Sequence, residues 1–167
     1  LGGRAGGGKV LPPSIPGFLF FGPGVHGDGR GFFYESFQQR PFEAATGISA
    51  TFVQDNHSRS AKGVLRGLHY QIRQTQGKLV RVVRGSAFDV AVDIRKSSPT
   101  FGRWVGVELS EANHRQLWVP AGLAHSFLVP SESADFLSNA KAYSRPAPER
   151  CRPWIPPPSL RERPAGA

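Results

Sequence analysis

The residues of this chain best suited to moving protons or holding charge are two histidines set among short apolar runs, and two polar clusters upstream of them. His69 lies in Arg66-Gly67-Leu68-His69-Tyr70 and His125 in Ala124-His125-Ser126-Phe127. An imidazole titrates close to neutral pH, so either ring is a candidate proton acceptor and donor. A single histidine in a strand is more often a satisfied structural residue, and Asp89 and Asp93 have an equally plain reading as solvent-facing carboxylates. Strand alternation sets Arg66, Leu68 and Tyr70 on one face and Gly67 and His69 on the other. The clusters are Arg30 to Glu35, with a guanidinium and a carboxylate flanking three aromatics, and Gln54-Asp55-Asn56-His57-Ser58. Donors, acceptors and aromatics in such density fit a polar ligand, although either stretch alone also fits a solvated loop.

The elements that must position these groups are short strands. Lys78 to Val83 is rich in β-branched residues, Arg84-Gly85-Ser86 is a turn, and Phe88, Val90, Val92 and Ile94 then alternate with Asp89, Ala91 and Asp93. This pattern describes a hairpin with one face buried. Trp104 to Leu109, a polar connection over Ser110 to Arg115, Gln116 to Val119, the turn Pro120-Ala121-Gly122 and Ala124 to Val129 continue the series. Strands at such even spacing predict an all-β sandwich or barrel, with a jelly roll among the few ways to close it. Glu35 to Gly47 is the predicted place for short helices, interrupted by Pro41 and terminated by Gly47.

Composition bounds the rest. The chain has 167 residues, 39% of them hydrophobic, enough for one buried core and too few for two ordinary domains. Its 20 glycines and 15 prolines suit a turn-rich β protein. Cys151 is the single cysteine, which excludes an internal disulfide and fits a reducing cytoplasm. No apolar stretch approaches the roughly 18 residues needed to cross a bilayer, so no membrane partner is expected. The net charge of +9 is spread without a Lys/Arg helix face or a nucleic-acid motif, which favours a small anionic ligand over nucleic acid. Residues 1–8 read as a flexible Gly-rich leader, 9–150 as the folded domain and 151–167 as an atypical Pro/Arg-rich tail.

Several motifs in order carry a resemblance. Arg30-Gly31-Phe32-Phe33-Tyr34-Glu35, Phe52-Val53-Gln54-Asp55-Asn56, Gly63-Val64-Leu65-Arg66-Gly67-Leu68-His69-Tyr70, Phe88 to Arg95, Ser98-Pro99-Thr100-Phe101-Gly102 and Pro120 to His125 together resemble the dTDP-4-dehydrorhamnose 3,5-epimerases over about Lys9 to Arg150. The resemblance implies a cupin-type jelly-roll barrel with a few short helices. It also implies a homodimer whose barrels exchange strands, so that one subunit helps to line its partner's site, and a reaction without cofactor or metal. The implied substrate is dTDP-4-keto-6-deoxyglucose, inverted at C3 and C5. His69 is then the base and Lys78 the charge beside the enolate oxygen, with Arg66 and His125 as further polar contacts. Arg30, Glu35, Gln54, Asn56 and Glu149 hold the nucleotide sugar.

The same alignment places Ser138 where the family has the tyrosine that donates the second proton. It places Ser144 where a tyrosine stacks on thymine, with Tyr143 adjacent as a substitute. After Cys151 it finds no counterpart of the family's continuation, including the aspartate that pairs with the catalytic histidine. A serine hydroxyl is a far weaker acid than a phenol, so the expected outcome is proton abstraction with impaired delivery. The other readings weighed are a non-catalytic dTDP-sugar-binding cupin, a single-centre epimerase and a metal-dependent cupin, the last lacking a close pair of histidines in the sequence.

Overall fold

A computed structural model describes residues 9–11, 15–49, 51–71, 75–141 and 149–151. The elements run β1 (Lys9–Leu11), β2 (Leu19–Gly22), β3 (His26–Asp28), β4 (Gly31–Phe33), α1 (Gln39–Thr46), β5 (Gln54–Ala61), β6 (Leu65–Gln71), β7 (Lys78–Arg84), β8 (Ser86–Asp93), β9 (Trp104–Ser110), β10 (Gln116–Val119), β11 (Leu123–Leu128), β12 (Ser133–Ala140) and β13 (Glu149–Cys151). Six strands form one sheet in the order β1-β2-β10-β7-β12-β5, five form a second in the order β13-β6-β11-β8-β9, and β3 with β4 makes a separate hairpin. Neighbouring strands pair antiparallel throughout both sheets.

The two large sheets face each other, and the residues that alternate inward make the core. Val80, Val82, Leu117, Val119, Ala134 and Phe136 come from the first sheet and Ala87, Ala91, Leu109, Leu123 and Phe127 from the second. Phe127 and Phe136 stack across the gap, with ring centroids 4.1 Å apart and planes 7° from parallel. Fully burying one such side chain contributes about 1.5–3 kcal/mol, so this stack is a main tie between the layers. The outer face of the six-stranded sheet is covered in part by α1, where Phe42 packs on Leu79 and Trp118 with Phe21 and Phe52 around them.

Two sequence expectations are corrected here. The region around α1 holds one helix, and Pro41 does not interrupt it. Pro41 occupies the first turn, where a backbone N–H has no intrahelical partner to lose. Gly47 does end the helix, at φ 67°, donating its N–H to the Glu43 carbonyl. In β8 the faces are opposite to the simple hydrophobic reading. Ala87, Asp89, Ala91 and Asp93 point into the core and are completely buried, while on the outer side Val90 is buried as expected but Phe88 and Val92 are only partly covered. Carboxylates tolerate such burial only when they are hydrogen-bonded, and both are.

On the outer face of β12, Asp135 accepts hydrogen bonds of 2.5 and 2.7 Å from the Arg59 guanidinium of β5, with His57 at 3.7 Å. The Arg59 bonds lower its carboxyl from 3.8 to about 2, against desolvation and aided by the charges of Arg59, His57 and Arg84. A carboxyl depressed in the folded state stabilises it above the unfolded pKa and loses that contribution as pH falls through the folded value. The melting temperature should therefore drop between about pH 4 and pH 2. Asp135→Asn should melt lower at neutral pH and show a shallower decline over that window, as followed by circular dichroism.

Candidate active site

The inner wall of the five-stranded sheet depends on how β6 meets β11. His69 stands opposite His125 and Arg66 opposite Phe127, so three steps along β6 match two along β11. β6 thus carries one extra residue, a bulge, and beyond it the alternation is reset. Arg66 and His69 end up on the same inward face as His125 and Phe127, which corrects the expectation that they oppose one another. The bulge also needs Gly67. Its φ is 134°, and a Cβ there would lie 2.5 Å from the Cβ of Ser126.

The facing wall comes from the six-stranded sheet. Lys78 pairs with Ala140, Val80 with Ser138, Ser138 with Asn56 and Ala140 with Gln54. Alternation places Lys78, Ser138, Asn56 and Gln54 on the side that also presents Val80 and Phe136 to the core. Gln54 donates from Nε2 to Oδ1 of Asn56 at 2.7 Å, fixing the two amides on this edge strand relative to each other. Arg66 donates from Nε to Oγ of Ser60 at 2.8 Å and so links the two walls along the β5–β6 side. His69, Lys78 and His125 line one cavity of about 340 Å³, together with Tyr70, Gln76, Ile94, Arg95, Lys96 and Leu123 among others.

Two buried carboxylates organise that cavity from behind. Nε2 of His125 is 2.9 Å from both oxygens of Asp89, which is wholly buried. A carboxylate only accepts, so with Asp89 ionised Nε2 carries the hydrogen and the ring's orientation is fixed. Asp93 accepts from Nε and Nη2 of Arg95 at 2.9 and 2.7 Å and from the hydroxyls of Ser98 and Thr100 at 2.7 Å each. These bonds, the Arg95 pair first, hold its carboxyl well below the usual range despite burial. Arg95 also donates to the Pro16 carbonyl at 3.3 Å, so a cavity-lining cation is clamped at both ends. The sequence offered a sign of this in Asp93-Ile94-Arg95, but a carboxylate two residues from a guanidinium does not show which way either points.

The remaining candidates are placed differently. Arg30 is exposed in the β3–β4 turn and paired with Asp28 at 2.6 Å, and Glu35 follows in the segment leaving the hairpin. That segment is held by Gln116, whose Nε2 donates to the Ser36 carbonyl at 2.6 Å. Gln116 shares the outward face of β10 with Trp118, so Arg30 and Glu35 sit outside the six-stranded sheet and away from their own chain's cavity. Glu149 stands in β13 opposite Gln71, which lines the cavity. Tyr143, Ser144 and the chain after Cys151 lie outside the described residues. Among the described residues no three His, Cys, Asp or Glu side chains gather as a metal site. His69 and His125 are nonetheless close neighbours, a proximity that strand pairing creates and sequence separation conceals. No helix among the described residues is long and apolar enough to cross a membrane.

Two antiparallel sheets closed over a polar cavity at one end and an apolar core at the other define a cupin-type jelly-roll barrel. The chain belongs to the dTDP-4-dehydrorhamnose 3,5-epimerase family, a family of isomerases whose model matches residues 12–158. That match runs several residues past the point where the sequence resemblance was expected to stop. A dTDP-4-dehydrorhamnose 3,5-epimerase from Pseudomonas aeruginosa is 60% identical over 149 residues, covering 89% of this chain and 82% of the relative. The structure of the Legionella pneumophila enzyme in complex with dTDP-4-keto-L-rhamnose superposes with a TM-score of 0.84 at 55% identity, covering 86% of this chain and 76% of that one. A 3'-monoepimerase from Streptomyces bikiniensis, solved with dTDP-quinovose, gives 0.79 at 36% identity over 84% of this chain and 71% of that one.

Removing the Asp89 carboxylate should leave the His125 N–H buried without an acceptor. Asp89→Ala is expected to lower unfolding free energy by about 1–3 kcal/mol in a denaturant titration.

Proposed function

We propose that this chain epimerises a dTDP-linked 4-keto-6-deoxy sugar, dTDP-4-dehydro-6-deoxy-D-glucose, toward dTDP-4-dehydro-L-rhamnose, in dTDP-rhamnose biosynthesis. The observation that carries the reading is that His69 and Lys78, from opposite sheets, line one cavity. The C4 carbonyl acidifies the C–H bonds at C3 and C5. His69 removes one of these protons, the bonding pair moves into the ring to give an enolate, and the Lys78 ammonium stabilises the negative oxygen. Inversion then requires a proton to arrive from the opposite face of the ring. Arg66 and His125 complete the polar lining, Gln54 and Asn56 form its rim, and the reaction calls for neither cofactor nor metal.

The nucleotide end is assigned to Arg30, Glu35, Tyr143 and Glu149. Arg30 and Glu35 lie outside their own barrel, which supports a homodimer in which each hairpin serves the partner's cavity. Co-expression tests this directly. In mixed dimers of Arg30→Ala and His69→Ala chains, exchange in trans leaves half the sites intact and restores turnover, whereas service in cis restores none. The lone cysteine, with no internal disulfide to maintain, supports a cytoplasmic setting.

Ser138 favours a second reading within the same class. It stands on the inner wall between Asn56 and Val80, where a phenol would be a much better proton donor. Impaired delivery would make solvent exchange outpace net double inversion, or confine inversion to one centre. A product-resolved assay on the dTDP-linked keto-sugar in deuterated solvent separates the outcomes. Wild type should exchange faster than it doubly inverts, and Ser138→Tyr should raise double inversion by about tenfold or more. Fast, equal inversion at both carbons by wild type would contradict the impairment. Tight dTDP binding with no exchange at all would instead identify a binding cupin.

A further inference from the structure

We infer that His114 is a positioning residue for the hairpin that carries the nucleotide-binding groups. This rests on the reading that Arg30 and Glu35 bind the nucleotide sugar, and it adds what holds them in place. The connection between β9 and β10 is built around Asn113. Its Oδ1 accepts from the backbone N–H groups of Ser110 and Arg115 at 3.1 and 2.9 Å, and its Nδ2 donates to the Glu108 carbonyl at 3.0 Å. Oγ of Ser110 in turn accepts from the Asn113 N–H at 3.2 Å. The next residue is thereby turned into the left-handed region. His114 has φ 49° and, among the described residues, is the only non-glycine with positive φ. Histidine adopts this conformation more readily than most side chains, whereas β-branched and bulky ones are strained there.

The consequence is a ring cluster. The His114 imidazole lies 4.9 Å from the Phe32 ring and 5.1 Å from the Tyr34 ring, and those two rings stack on each other at 5.9 Å. Phe32 and Tyr34 alternate with Phe33, which is 72% exposed. Two residues after His114, the Gln116 amide grips the Ser36 carbonyl. Two residues of the barrel, His114 and Gln116, thus hold the hairpin at its second strand and at its exit, on either side of Glu35 and close after Arg30. The side-chain hydrogen bonds of Arg30 itself go back to Asp28 within the hairpin. The imidazole contact therefore decides how far Arg30 and Glu35 wander before a ligand arrives, which is a cost in affinity and leaves the chemistry at His69 unaffected.

The test uses the full chain and dTDP as the probe. His114→Asn keeps a side chain that tolerates positive φ and removes the ring, and Phe32→Ala removes the partner from an exposed position that the fold does not need. Each should weaken dTDP binding in calorimetry by about three- to tenfold. Each should also raise KM for substrate-dependent solvent exchange with kcat within twofold. The double variant should weaken binding by less than the two single losses combined, because both remove the contact between His114 and Phe32. Trypsin should cut after Arg30 faster in both variants than in wild type. If Arg30→Ala weakens dTDP binding while His114→Asn and Phe32→Ala bind like wild type, the inference is overturned and the assignment of Arg30 stands. If Arg30→Ala is also without effect, the assignment falls and the inference falls with it.

Discussion

One surplus residue in β6 decides what this barrel can do. Without the bulge between Arg66 and His69, strict alternation would send one of them to the outside of the sheet, and the cavity would lose either its imidazole or the guanidinium that ties β6 to Ser60 of β5. The bulge is possible because Gly67 lets the backbone press onto Ser126, a contact that leaves no room for a Cβ. From that irregularity follow the cross-strand pairing of His69 with His125 and the facing of His69 toward Lys78.

The interior is divided along its length. At one end Phe127 and Phe136 stack in a dry core, and at the other the same inward positions carry His125, Lys78 and Ser138. Burying charge in such a barrel is unfavourable unless every carboxylate oxygen is occupied. Asp89 meets this demand through His125, and Asp93 through Arg95, Ser98 and Thr100. The first set joins two strands and the second lies within residues 93–100, and each fixes a group, His125 or Arg95, that lines the cavity. The polar interior is therefore a fixed framework into which a ligand's charges can be placed with little reorganisation.

Much of this was legible in the sequence, for reasons that are local. Strand spacing, the turns at Gly85 and Gly122 and the stop at Gly47 depend on neighbouring residues alone, and each appears where the pattern put it. What depends on distant partners is not legible in the same way. The apolar side of β8 looked like the buried one because Phe88 and Val92 are larger than Ala87 and Ala91, yet the space between the sheets accepts the small residues and the paired aspartates. The parity of Arg66 failed because a bulge is a property of two strands. Pro41 reads as disruptive from sequence because composition does not show that it falls in the helix's first turn. Arg30 and Glu35 resemble the family's binding residues, and the fold puts a whole sheet between them and their own chain's cavity, a separation that only the three-dimensional arrangement reveals. His114 lies in a connection that reads only as polar, and its ring contacts come from residues some eighty positions away.

The account stands on His69 as the group that removes a proton beside the ketone. The most direct measurement is deuterium incorporation at C3 and C5 of the dTDP-linked keto-sugar in heavy water, compared between wild type and His69→Ala. The account predicts incorporation by wild type and a loss of about a hundredfold or more in the variant. Incorporation at equal rates in both would contradict it.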